Sequence, residues 1–266
     1  MASSIANWNK FLYSPYKMVT QFEDDVGTLK TGQGTAFVIA LDSNGLAIVT
    51  NRHVIDLNYK ELSPKYKAFK RTSVVLTGRR NDDSLYRFSI DLASEAHFSE
   101  EILNDVAVFV NPRVHEIENM IGTKLHYRFG IEELADENFF NLELTPFDVV
   151  AFSGFPEEHD RLAERPLIRG GRIASDPKFD FSIDGKLAGQ CVAYEAFSHG
   201  GASGSPVYAL TKGLQGQSGA RTGRLVGINA GHLKRDMGQH TGLSYFYRST
   251  VILKILKKVG AIDGAT

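Results

Sequence analysis

Cysteine is nearly absent from this sequence: a single residue, Cys191, stands among 266. One thiol excludes an intrachain disulfide and any zinc site built from cysteines, and it suits a reducing compartment. A dominant charge is lacking as well. Thirty Lys and Arg face thirty-one Asp and Glu, a net charge of −1, so there is no broad electrostatic footprint for nucleic acid or an anionic membrane. Long hydrophobic runs are missing too. The longest, Ala36 to Leu41, has six residues, against the roughly 20 that a membrane-spanning helix requires. The opening stretch MASSIANWNKFLYSPYK has no apolar h-region of the signal-peptide kind. The eight histidines show no His-Glu-x-x-His spacing, and Gly32-Gln33-Gly34 lacks the third glycine and following helix of a dinucleotide fingerprint. These absences lead to the expectation of a soluble, cytoplasmic protein with no metal, no cofactor, no nucleic-acid partner and no membrane partner.

What is present is a chain of ordinary globular make-up, 42% hydrophobic and 23% charged, long enough for one large domain or two small ones. Short segments rich in Val, Ile, Phe and Thr, bounded by Gly, Asn and Asp, predict strands at Gly34–Leu41, Leu46–Asn51, Thr72–Thr77, Leu85–Ile90 and Asp105–Val110. Asp42-Ser43-Asn44-Gly45 between the first two reads as a tight hairpin turn, its Asn-Gly pair supplying positive φ. Residues 113–143 change character and predict a linker with a short helix in GIEELADENFF. Strand signals return at Asp148–Ser153, Pro166–Ile173, Gly189–Tyr194, Pro206–Leu210, Arg224–Ala230 and Gly242–Tyr247. Val251, Ile252, Ile255, Leu256 and Val259 then repeat at helical spacing and predict an amphipathic helix over 249–260. Strands come in two successive groups without βαβ alternation, so the expected fold is all-β: two antiparallel six-stranded barrels, at 18–112 and 144–248.

The most informative cluster is His199-Gly200-Gly201-Ala202-Ser203-Gly204-Ser205-Pro206. A serine nucleophile needs unobstructed backbone around it so that neighbouring N–H groups can face a developing oxyanion, and glycines permit that. Gly/Ser/Pro clusters also mark plain loops. Position 205 is serine and a strand-like segment follows, so this is not the Gly-x-Ser-x-Gly elbow that opens a helix. A candidate base, His53, follows an apolar strand in Ile48-Val49-Thr50-Asn51-Arg52-His53. Asp105 stands at the mouth of another in Asn104-Asp105-Val106-Ala107-Val108, where burial implies a partner for its carboxylate.

In order along the chain, Gly32-x-Gly34-Thr35-x-Phe37-Val38, Val49-Thr50-Asn51-Arg52-His53-Val54, Asp105-Val106-Ala107-Val108, Gly154-Phe155-Pro156, Gly201-Ala202-Ser203-Gly204-Ser205-Pro206 and Leu225-Val226-Gly227-Ile228 resemble the motifs of trypsin-like serine peptidases, in their disulfide-free bacterial form. The resemblance implies a chymotrypsin-like double barrel and a serine endopeptidase acting on polypeptide substrates. It implies His53 as general base, Asp105 as its orienting acid and Ser203 as nucleophile, with an oxyanion hole from the N–H groups of Gly201 and Ser203. A protease-fold binding module without turnover is the competing reading. The segment Asn229, Ala230 and Gly231 is implied as the edge that pairs with an extended substrate. Phe197, six residues before the nucleophile, is implied at the base of the pocket for the side chain preceding the scissile bond, flanked by Gly200 and Gly231. An aromatic floor without a counter-charge predicts small or medium apolar side chains there and disfavours Lys and Arg. The rival is an acidic preference read by Ser198, His199 or His232. Ala202 replaces the aspartate that many secreted members use to bind a newly cut N-terminus, so activation by that switch is not expected.

Overall fold

The computed structural model describes residues 9–263 apart from 42–43, 60–65, 81, 118–124, 126, 184, 215 and 235–239. Its first sheet contains β1 (Pro15–Glu23), β2 (Leu29–Ala40), β3 (Leu46–Thr50), β4 (Lys70–Arg79), β5 (Leu85–Ile90), β6 (Ala96–Phe98), β7 (Ala107–Val110), β8 (Val114–Glu116) and β9 (Phe129–Gly130). The order is β6-β7-β3-β2-β1-β4-β5-β8, and β9 pairs with β2 in parallel. The second sheet contains β10 (Val149–Gly154) and β11 (Leu167–Arg172). After a small hairpin, β12 (Ser182–Ile183) and β13 (Lys186–Leu187), come β14 (Cys191–Glu195), β15 (Pro206–Ala209), β16 (Arg224–Lys234) and β17 (His240–Arg248). Their order is β11-β10-β15-β16-β17-β14. Both sheets curl, giving the all-β double barrel expected from the strand pattern. The second has the expected six strands, whereas the first has nine.

The additional strands carry weak signals. β1 alternates correctly, but one of its inward residues is Thr20, fully buried between Met18 and Phe22, which blurs the apolar period. The short helix expected in the linker is present in two pieces, a 3₁₀ turn at Ile131–Glu133 and a π-helical turn at Phe139–Glu143. Between them Leu134 bridges to Leu225 in parallel and the Ala135 N–H donates to the Leu225 carbonyl, so strand-like pairing across the molecule overrides the local helical spacing. At the first hairpin Asn44 has φ +60, as its turn requires; Asp42 and Ser43 lie outside the described residues.

Residues 9–13 and the helix at Ser249–Lys258 both pack at the join between barrels. Residues 9–13 are helical and lie on the second barrel, where Ser153 Oγ donates to the Leu12 carbonyl at 2.8 Å and the Phe11 ring sits 5.5 Å from Tyr208. The chain then enters β1 of the first. The closing helix α2 (Ser249–Lys258) buries Val251, Ile252, Ile255 and Leu256 in one core with Phe37, Val49, Val106 and Val108 of the first barrel and Leu225 and Ile228 of the second. A one-turn helix, α1 (Arg52–Ile55), follows β3 and faces the cleft between barrels. No described helix is long and apolar enough to cross a membrane.

Candidate active site

Register brings the first two candidates together. β3 and β7 are antiparallel with Thr50 opposite Ala107, so the chain leaving β3 runs beside the chain entering β7. Asn51 Nδ2 donates to the Asp105 carbonyl, and α1 then turns His53 toward the carboxylate. Asp105 is fully buried and holds His53 twice: Oδ1 accepts the backbone N–H at 2.9 Å, and Oδ2 lies 2.6 Å from Nδ1. This fixes the ring's position and makes Nδ1 the protonated nitrogen, leaving Nε2 as the acceptor.

Ser203 arrives from the second barrel. Gly204, at φ +92, presses so closely on β2 that a Cβ there would lie 1.8 Å from the Thr35 carbonyl oxygen. Gly34 has a similar part: a Cβ on it would be 2.7 Å from a Val54 methyl and 3.1 Å from the Ser203 carbonyl oxygen. The residue after His53 and the candidate nucleophile thus close over one bare point of β2.

Thr35 is the residue that sequence reasoning undervalued. Its N–H donates to the Ser203 carbonyl at 2.7 Å and its Oγ1 donates to the Gly201 carbonyl at 2.8 Å. The same Oγ1 accepts the Phe155 N–H at 3.1 Å, and the Thr35 carbonyl accepts Thr50 Oγ1 at 2.8 Å. With these carbonyls held back, the N–H groups of Gly201 and Ser203 have no acceptor among the described residues. They are available to an oxyanion. The Ser203 hydroxyl itself donates to the Ala230 carbonyl at 3.3 Å; among the described residues that is its hydrogen bond, and it makes none to His53.

The substrate-binding expectations need correction at three positions. Asn229 does not belong to a free edge, because its N–H donates to Ser205 and its carbonyl accepts from Gly204. Its side chain points inward, accepting from Tyr194 Oη at 2.7 Å and donating to Ser198 Oγ at 2.8 Å. β15 begins at Pro206 opposite Ile228, while β16 continues to Lys234 paired with β17 on the other side, so the open edge begins at Ala230 and runs on through Gly231. Ser198 is 2% exposed with its hydroxyl turned to Asn229, away from any substrate. Phe197 is not a pocket floor: it is 54% exposed and lies as a wall with its ring 4.9 Å from His240. His199 is half-exposed, and Gly200 abuts the Glu157 carboxylate. His240 had no sequence signal, since its neighbours His199 and His232 come from other elements.

No family model and no curated protein sequence matches this chain. Solved structures do resemble it. Deg5 superposes with a TM-score of 0.53 at 14% identity, over 99% of both chains. The HtrA-type protease AlgW, solved with a decapeptide, gives 0.55 at 14%, covering 96% of this chain and 67% of that one. The protease Anisep from Arthrobacter nicotinovorans gives 0.55 at 12%, covering 94% and 97%. At such identities the likeness establishes the fold, that of the trypsin-like serine peptidases, and nothing finer.

Proposed function

We propose that this protein is a serine endopeptidase that hydrolyses peptide bonds through an acyl-enzyme formed on Ser203. The observation that carries the reading is the double hold of buried Asp105 on His53, which leaves Nε2 as a proton acceptor facing the cleft. In the reaction Ser203 Oγ exchanges the Ala230 carbonyl for His53 Nε2 and attacks the scissile carbonyl carbon, while the imidazole takes the hydroxyl proton. Asp105 stabilises the imidazolium, which then protonates the leaving amine as the C–N bond breaks. Water, deprotonated by the same imidazole, hydrolyses the ester and restores the hydroxyl. The free N–H groups of Gly201 and Ser203 stabilise the oxyanion, each donor being worth about 3 kcal/mol in sites of this kind. The substrate backbone adds as a strand to the open edge from Ala230.

A second reading, a binding module without turnover, draws on the bond from Ser203 to Ala230, which occupies the hydroxyl. Labelling with a fluorophosphonate separates the two. The peptidase reading expects stoichiometric modification, lost in Ser203→Ala with the melting temperature retained; a folded wild-type protein that does not label refutes it.

A further inference from the structure

Three imidazoles from separate elements meet beside the Ser203 loop. His199 comes from the loop itself, His232 from β16 just past the start of its open edge, and His240 from the first position of β17. The rings of His232 and His240 are nearly parallel with centroids 4.4 Å apart, and His199 lies 5.8 Å from His240 and 6.5 Å from His232. Phe197 closes one side. Among the described residues no group of three or more His, Cys, Asp or Glu is arranged to hold a metal ion, so the cluster calls for another occupant.

Charged groups of both signs surround the cluster, unevenly placed about its three rings. Arg169 on β11 and Lys234 at the end of β16 act on the cluster as fixed cations. The acid facing it is Glu158, 3.6 Å from both His199 and Arg169; Glu157 lies behind Gly200. Burial, then Lys234 and His199, hold His232 below the ordinary histidine range, with the Ser198 main chain opposing. Burial, then His232 and His199, do the same to His240, with Arg169 adding to the effect and the Ser198 main chain again opposing. Glu158 reaches His199 and Arg169, but among the described residues no carboxylate lies within ion-pair distance of His232 or His240, so these two rings lack a compensating negative charge of their own.

Hydrogen bonding shows where that charge would be received. A neutral imidazole accepts at only one nitrogen. Gly242 N–H donates to His240 Nδ1 at 2.8 Å, so the ring proton sits on Nε2, where it meets another donor, the Ser198 N–H, at 3.2 Å. The Ser198 N–H has Ser244 Oγ at 3.3 Å as its alternative acceptor, which leaves His240 Nε2–H without one. Arg169 Nε is likewise buried with no hydrogen-bond partner. An apolar side chain entering here would desolvate all these donors and satisfy none.

Resting on the peptidase reading, we infer that the enzyme selects a carboxylate side chain, Glu or Asp, at the residue preceding the scissile bond, and that His199, His232 and His240 receive it. The cluster is bounded by the loop that leads into the Gly201 and Ser203 N–H groups and by the open edge of β16. A residue whose carbonyl occupies those N–H groups therefore extends its side chain into the imidazoles. This selects the acidic rival over the apolar expectation drawn from Phe197.

The test is a series of peptidyl diphenyl phosphonates that differ only in carrying Glu, Gln, Leu or Lys at this position, with a plain fluorophosphonate in parallel. Glu is expected to label faster than its isostere Gln by about 10- to 100-fold, the scale of charge-assisted hydrogen bonds. The ratio is expected to shrink as pH rises from about 5 towards the ordinary histidine value of about 6.5, because His232 and His240, held below that value, lose their protons there while the carboxylate stays ionised. His240→Gln and His232→Gln are each expected to lower it. Fluorophosphonate labelling with Gln or Leu equal to or ahead of Glu overturns the inference and leaves the peptidase reading standing, whereas no labelling by any probe overturns both. A Glu preference untouched by either folded variant overturns the assignment to the histidines. Should a variant fail to fold, the wild-type Glu-to-Gln ratio and its pH dependence still decide.

Discussion

Replacing Thr35 with valine keeps shape, volume and β-branching in a fully buried strand position and removes one oxygen atom. That oxygen donates to the Gly201 carbonyl at 2.8 Å and accepts the Phe155 N–H at 3.1 Å. Both are main-chain groups of buried residues, and a buried polar group left unpaired costs about 1–3 kcal/mol. Thr35→Val should therefore lower stability by about 2–6 kcal/mol, a large share of the roughly 5–15 kcal/mol typical of a folded domain. The loss falls on the loop that presents the Gly201 and Ser203 N–H groups, so reactivity should drop with it. Thr35→Ser keeps both hydrogen bonds and removes one methyl, a cost of about 1 kcal/mol. Urea unfolding and the second-order rate of fluorophosphonate labelling measure the two effects. The expected pattern is a marked loss in both for Thr35→Val and near wild-type labelling for Thr35→Ser. Equal behaviour of the two variants would refute the role given to the hydroxyl.

Asp105→Asn keeps the size of the side chain but no longer fixes the His53 tautomer, so labelling and turnover should fall by about four orders of magnitude; a loss under tenfold in a folded protein would contradict the assignment. Gly204→Ala brings a Cβ to 1.8 Å from the Thr35 carbonyl at φ +92, and a destabilisation of about 3 kcal/mol or more is expected in urea. Wild-type stability there would mean the loop adapts freely. Burial raises the Asp148 pKa, but Lys212 at 2.9 Å, the Thr145 N–H at 2.8 Å and Arg221 at 3.1 Å outweigh it and hold the carboxyl below its ordinary value of 3.8. Its stabilisation is thus fully present above that value and lost as pH falls through the lower folded one. Asp148→Asn should be less stable than wild type at neutral pH, with the gap closing below about pH 4; a gap that stays constant on acidification would count against the ion pairs.

Periodicity in the sequence was enough for the two groups of strands and for the closing helix, because both depend on which face of a local segment is apolar. It was not enough for β1, where Thr20 sits inside, or for the bridge from Leu134 to Leu225 that splits the linker helix in two. The same division runs through the site. His53, Asp105 and Ser203 stand out because each occupies the end of a recognisable segment, and the structure joins the first two directly. The inward turn of Asn229 depends on how β15 and β16 stop and start against each other, which no run of residues displays. His240 gains meaning only from rings that approach it from another loop and another strand.

The packing of α2 against both barrels bears on the order in which the core is completed during synthesis. A ribosome releases the first sheet's strands early, yet the core side of Phe37, Val49 and Val108 stays uncovered until Leu225, Ile228 and finally α2 emerge. That shared core is complete only once α2 docks. Between residues 105 and 203 a nascent chain carries His53 and Asp105 but has no Ser203 loop to anchor beside them. Premature termination before residue 249 yields a chain whose central core is missing Val251, Ile252, Ile255 and Leu256. Such a chain is expected to be less stable than the full one, because those four side chains join both barrels in one core.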